Sequence, residues 1–171
     1  MEDTFWDTVH KRRSIRKYTD EPLAREELVR ILKAGMASPS AANAQTWDFV
    51  VVQDRQTLMA LSELHPGANM LADAAAAIVV CGMPQREQIP GFWPQDCAAA
   101  CQTMLLAVQA SGLGGVWVGV HPLEEVEKKA GEILHTPEEA RPFAILSIGH
   151  PAEELGIDDR YDEQKLHWDT W

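Results

Sequence analysis

Cysteine is scarce in this chain. The three present, Cys81, Cys97 and Cys101, are an odd number, which argues against a disulfide framework. Cys97 and Cys101 share a helix face, but no Cys or His stands at zinc-ligand spacing from them. They read as small buried apolar side chains. Positive charge is also short: 15 Lys and Arg against 26 Asp and Glu give a net charge of -11. That sign repels nucleic acid and anionic lipid, so the expected partner is a small molecule, with no nucleic acid and no membrane. The opening residues, MEDTFWDTVH, lack the charged and apolar regions of a secretion signal, so the expected location is cytoplasmic.

Several chemical motifs are missing as well. No GxGxxG follows a strand, and no GxxxxGK[ST], GxSxG, HExxH or EF-hand loop occurs. Gly112–Gly115 precedes a strand, the wrong order for a dinucleotide turn. The histidines are scattered, and no nucleophile–base pair can be drawn. If the chain is an enzyme, a cofactor carries the difficult chemistry.

Charge of either sign disappears between Cys97 and Leu123. The run Asp96–Gly119 reads as a helix capped by Asp96 and stopped by Gly112 and Gly114, followed by a strand near Val116–Val120. A helix apolar all round is buried on all sides. A chain of 171 residues can scarcely surround one alone, so a second copy is expected on one face. The glutamines and the Gly-rich break argue against a membrane span.

In chain order, Thr4–Arg13 reads as an amphipathic helix with Phe5, Trp6 and Val9 inward. Lys11, Arg12, Arg13, Arg16 and Lys17, with Ser14 among them, then form the densest positive cluster of an acidic protein. Guanidinium groups fork onto phosphate oxygens, so the cluster is a candidate anion site; a solvated basic turn is the plainer reading. A helix over Ala24–Met36 leads into the small, uncharged loop Ser38–Thr46, suited to a flat ligand with polar edges. Trp47–Val52 reads as a central strand. Asp54 caps a helix reaching Leu64, with Leu58, Met59 and Leu61 buried. Ala74–Cys81 is a second strand, and Met83–Gln95 a surface excursion. Pro122 opens a helix with Val126, Ala130 and Ile133 inward. Phe143–Gly149 is a further strand, and the tail from His150 carries Tyr161, Trp168 and Trp171. The alternation of strands and helices gives a mixed α/β class, without repeats or linkers.

RRSIRKY at Arg12–Tyr18, ASPSAANAQTW, the strand WDFVVV, GLGGVWVGVHP, FAILSIGHP and DDRYDEQKLHW together resemble the FMN-dependent nitroreductase family in its shorter form. The resemblance covers nearly the whole chain in order. It implies an α+β fold, a three-layer α/β/α sandwich with a mostly antiparallel central sheet. It also implies an intertwined homodimer, one domain over 1–171, with 150–171 crossing onto the partner. It puts Arg12, Arg13, Ser14 and Arg160 at the FMN phosphate and ribityl end, and Arg16 near flavin N1 and O2. Pro39, Ser40, Ala41 and Asn43 would reach the isoalloxazine from the other subunit, and Val118 and Gly119 would sit at flavin N5. No side chain is implied as acid or base, and no metal. Thr46 departs from the family's proline, and Asp158 from a second basic residue.

The implied function is reduction of nitroaromatic or quinone-type acceptors by NAD(P)H, in two-electron ping-pong hydride transfer through tightly bound, non-covalent FMN. Alternatives are another flavin reaction on the same scaffold (reductive dehalogenation or flavin fragmentation), a non-catalytic flavin-binding protein, or a basic-patch interaction module.

Overall fold

The computed structural model describes residues 4–171. Its centre is a four-stranded sheet of β1 (Trp47–Val52), β2 (Ala76–Gly82), β3 (Gly114–Gly119) and β4 (Arg141–Gly149), in the order β1-β2-β4-β3. Every neighbouring pair is antiparallel. Helices cover both faces: α1 (Thr4–Lys11), α2 (Arg25–Met36), α3 (Arg55–Ser62), α4 (Trp93–Ala110) and α5 (Glu124–Leu134). The class is therefore α+β, and not the mixed α/β that alternation alone suggests.

Strand periodicity builds the two layers. Ala76, Ile78 and Val80 of β2 and Ala144, Leu146 and Ile148 of β4 pack with α2 and α4. Ala77, Val79 and Cys81 of β2 and Ile145 of β4 point the other way, into the layer of α3 and α5. Both central strands are buried on both faces, which is why they read as continuous apolar runs. β1 reads the same way but lies at an edge, paired among the described residues only with β2, and its Val51 is 40 % exposed.

Local chemistry sets the element ends. Asp54 accepts the Thr57 N–H at 2.8 Å and caps α3 as expected. Leu58 and Leu61 are buried, but Met59 faces solvent. Asp96 is not the cap of α4. The helix starts three residues earlier, with Pro94 in its first turn, and the Trp93 N–H is satisfied by Glu87 Oε1 at 2.5 Å. Pro122 lies two residues before α5; the extended backbone of Leu123 (φ -85°, ψ 92°) delays the helix to Glu124.

α4 is buried along Cys97, Ala100, Cys101, Met104, Leu105 and Val108. Its opposite stripe is not fully covered by its own chain: Gln102 and Ala110 are exposed, and Ala99, Thr103 and Leu106 are half-buried. Phe5 and Trp6 of α1, expected inward, are 60 % and 55 % exposed. The three thiols are free and buried as expected. Tyr161, Trp168 and Trp171 of the tail are 73 %, 81 % and 100 % exposed, so they pack little against their own chain. No helix among the described residues is long and apolar enough to cross a membrane.

Candidate functional site

The basic segment leaves α1 as extended chain and lies against the start of β3. Ser14 bridges Gly115 in parallel, and the Ile15 N–H donates to Gly115 O at 3.1 Å. Tyr18 pins the far end: its hydroxyl lies 2.8 Å from Ile15 O and 3.0 Å from Ser147 Oγ. Close packing demands small residues here. A Cβ at Gly114 would come within 2.6 Å of Ile15, and one at Gly149 within 2.8 Å of the Tyr18 ring.

Four guanidinium groups lie on or near this segment: those of Arg12, Arg13, Arg16 and Arg160. Arg12 is half-buried, and its side chain has no hydrogen bond or ion pair among the described residues. Burial pushes its pKa down, and the charges of Arg160 and Arg13 add to that. The chain thus brings Arg160 close enough for its charge to be felt at Arg12, across nearly the whole sequence. Arg13 donates to Gly156 O, and the Arg16 guanidinium to Ser14 O at 3.2 Å. Asp158 takes a hydrogen bond from Arg160 Nε at 2.7 Å; that bond and the charge of Arg160 lower the Asp158 pKa. The departure from a basic residue at Asp158 thus pairs with Arg160 and leaves Arg12 without a carboxylate partner. Like charges held together in this way form a site that gains from a multivalent anion. The donor set, guanidiniums plus the Ser14 hydroxyl, fits a phosphate monoester.

β3 carries the site away from the cluster. Its six residues rise about 17 Å, from Gly114 to Gly119. Apart from the Ser14 bridge, the outer edge is unpaired among the described residues. Val118 is buried, whereas a Cβ at Gly119 would meet nothing within 4 Å. His65 Nε2 lies 3.0 Å from Gly119 O and holds the strand end. The edge therefore offers backbone polar groups in open space, with cations at its start.

The small polar loop forms a separate half. Ala41–Asn43 is a tight 3-10 turn, and Ala42, Asn43 and Gln45 take left-handed φ of 50°, 55° and 50°. That conformation costs free energy for residues with a Cβ and must be held from outside. Asp96 does this. It is 4 % exposed; one carboxylate oxygen accepts the Ala41 N–H at 2.8 Å and the other the Thr46 hydroxyl at 2.8 Å. Thr46, fully buried, therefore has a hydrogen-bonding task where the family's proline could donate nothing. Ser40 Oγ accepts the Gln45 N–H at 3.0 Å, and Gln45 Nε2 donates to Asn43 Oδ1 at 3.2 Å. Pro39 and Asn43 themselves are exposed, and Ser40 and Ala41 half-buried.

The two halves do not meet in one chain. The loop runs directly into β1 at one edge of the sheet, while Val118 and Gly119 lie on β3 at the other. Three strand spacings separate the edges by about 14 Å, and among the described residues no hydrogen bond or ion pair joins the halves. Arg12, Arg13, Ser14, Arg16 and Arg160 thus share one region with the β3 edge, and Pro39, Ser40, Ala41 and Asn43 form another. Sequence reading missed Asp96 as the organiser of the turn. Its signal was a carboxylate in an otherwise uncharged apolar helix.

Among the described residues, no group of His, Cys, Asp and Glu could hold a metal ion. The Nitroreductase family model matches residues 9–79 and 64–150. A protein of Methanothermobacter thermautotrophicus with the name NADH dehydrogenase/NAD(P)H nitroreductase is 42% identical over 96% of this chain and 86% of its own. One of the same name from Archaeoglobus fulgidus is 42% identical over 95% of this chain and 96% of its own. Among solved structures, one of that name from Parabacteroides distasonis superposes with a TM-score of 0.95, at 34% identity, over 99% of this chain and all of the other. A Desulfovibrio desulfuricans structure described as a nitroreductase in complex with FMN gives 0.86 at 29% identity, over 100% of this chain and 99% of its own. With both the sequence and the antiparallel sandwich in agreement, the chain belongs to the nitroreductase family.

Proposed function

We propose that two copies of this chain form an FMN-dependent oxidoreductase that takes reducing equivalents from NAD(P)H and delivers them to nitroaromatic or quinone-type acceptors. The observation that carries this reading is the basic segment of Arg12 and Arg13 laid against the start of an open β3 edge, with the charge of Arg160 felt at Arg12 and no carboxylate on Arg12 among the described residues. Arg12, Arg13, Ser14 and Arg160 would hold the FMN phosphate and ribityl end. When bound, the isoalloxazine would supply two-electron, hydride-level redox chemistry. The backbone at Val118 and Gly119 would face that edge. Arg16, exposed beside the cluster, would set positive charge where negative charge develops on the pyrimidine side.

The same geometry supports a homodimer. Pro39, Ser40, Ala41 and Asn43 lie too far from the β3 edge of their own chain, so a second copy would bring its turn to the first copy's edge. The uncovered stripe of α4, free of charged residues, supplies a face for that contact, and the exposed aromatic tail can cover the partner. This reading assigns no side chain as acid or base and takes solvent as the proton source.

Absorbance of the purified protein, followed by titration with NADH and NADPH, tests the proposal. A flavin spectrum bleached by reduced nicotinamide and restored by a quinone or nitroaromatic is expected. A colourless protein that takes up no FMN and oxidises no NAD(P)H would refute it.

A further inference from the structure

After β4 the chain turns back along the basic segment. The Thr19 N–H donates to His150 O and the Ala152 N–H to Lys17 O, both at 2.9 Å, and Tyr18 bridges Pro151. In the middle of this contact Glu153 turns its carboxylate onto the segment. One oxygen, Oε1, accepts the backbone N–H of Arg16 at 2.7 Å and that of Lys17 at 3.2 Å. Its charge reaches the neighbouring phenol as well: burial raises the Tyr18 pKa, and Glu153 adds a smaller push in the same direction.

As a charge, Glu153 is misplaced. A carboxylate within a cluster meant for an anion lowers the local positive potential and opposes binding. As a backbone anchor, it is well placed. Among the described residues the segment has little regular pairing of its own, only the Ser14 and Tyr18 bridges. Between those bridges, the N–H groups of Arg16 and Lys17 are fastened by Glu153.

We propose that Glu153 is a positioning residue for the anion site. It fixes the backbone of Arg12–Lys17 so that the Arg12 and Arg13 guanidiniums and the Ser14 hydroxyl converge on one phosphate, and the order it imposes outweighs the repulsion it brings. This rests on the FMN reading above and deepens it. It also ties the start of the tail to the phosphate site, so the two order together.

The test compares wild type, Glu153→Ala and Glu153→Gln, each titrated with FMN and with riboflavin, which lacks the phosphate. Thermal unfolding is followed in parallel. Loss of both N–H contacts in Glu153→Ala is expected to weaken FMN binding about tenfold or more while changing riboflavin binding less than about twofold. Glu153→Gln keeps an oxygen for both N–H groups without the charge, and should bind FMN within about threefold of wild type, or tighter. Should Glu153→Ala fail to fold, Glu153→Asp, one methylene short of the same contacts, carries the same expectation. FMN binding unchanged or tightened in Glu153→Ala would show that the residue acts only as a charge and overturn the proposal. Equal loss of FMN and riboflavin would assign it a general structural role and overturn it too. Failure of wild type to bind FMN would fell the functional reading and this inference with it. Wild-type binding with an unaffected Glu153→Ala would fell the inference alone.

Discussion

Replacing Asp96 by alanine removes both hydrogen bonds that hold the Ala41–Asn43 turn from inside the core. Each is charge-assisted, and such bonds contribute about 1.5–3 kcal/mol. Losing two sets an upper range of about 3–6 kcal/mol, and recovering the desolvation cost of a buried carboxylate reduces it. A net loss of about 2–4 kcal/mol is expected. For a domain of this size that corresponds to a fall in melting temperature of about 5–15 °C. Asp96→Asn should retain part of the stability, because its amide oxygen serves one donor while its NH2 faces the other. The turn carries two residues with left-handed φ, Ala42 and Asn43, and Gln45 follows with a third, so it should relax once unanchored. Urea unfolding of the two variants against wild type measures the stabilities, and amide exchange at Ala41 reports the turn. A change under about 1 kcal/mol in Asp96→Ala, with Ala41 still protected, would refute the reasoning that Asp96 organises the loop.

Other perturbations have equally definite outcomes. Arg12→Ala should weaken FMN binding about tenfold to a hundredfold, the worth of one charged phosphate contact, while sparing riboflavin; fluorescence titration decides. Burial pushes the Tyr18 phenol from 10.0 up to about 12 and the Cys81 thiol from 9.0 up to about 12. Because these folded values lie above the unfolded ones, their contribution is complete below pH 9 and is lost as pH rises through 9 to 12. Denaturant midpoints should fall over that window, and less steeply in Tyr18→Phe between pH 10 and 12. A thiol reagent at neutral pH should leave Cys81, Cys97 and Cys101 unmodified in the native protein and label all three after denaturation; rapid native labelling would contradict their burial.

Much of the fold was legible because it follows local periodicity. Trp47–Val52 and Phe143–Gly149 are apolar runs bounded by polar residues. The stripe Leu28, Ile31 and Leu32 marks α2, and the cap at Asp54 follows from its side-chain chemistry. What stayed hidden depends on pairing across the chain. Nothing in WDFVVV says whether the next strand lies on one side or both, so β1 passed for a central strand. The true start of α4 depends on Glu87, six residues before the Trp93 it serves. Asp96 looked like a cap because its partners, Ala41 and Thr46, lie 55 and 50 residues away in sequence. Phe5 and Trp6 looked buried because apolar side chains at helical spacing usually are. Here they stand 60 % and 55 % exposed.

The candidate site divides in the same way. The basic cluster stands out against a net charge of -11, and its link to Arg160 came from resemblance and agrees with the electrostatic influence of Arg160 on Arg12. Glu153 gave no local sign, since its two contacts span 137 and 136 positions. The separation of the small polar turn from the β3 edge is a property of strand order, which no motif encodes.

Sedimentation velocity of the FMN-loaded protein, recorded in the visible flavin band, tests the central claim most directly. Two chains sharing two flavin sites should sediment as one coloured species of twice the chain's mass, with one FMN per chain. A coloured species of single-chain mass, or a dimer that carries no colour after FMN addition, would contradict it.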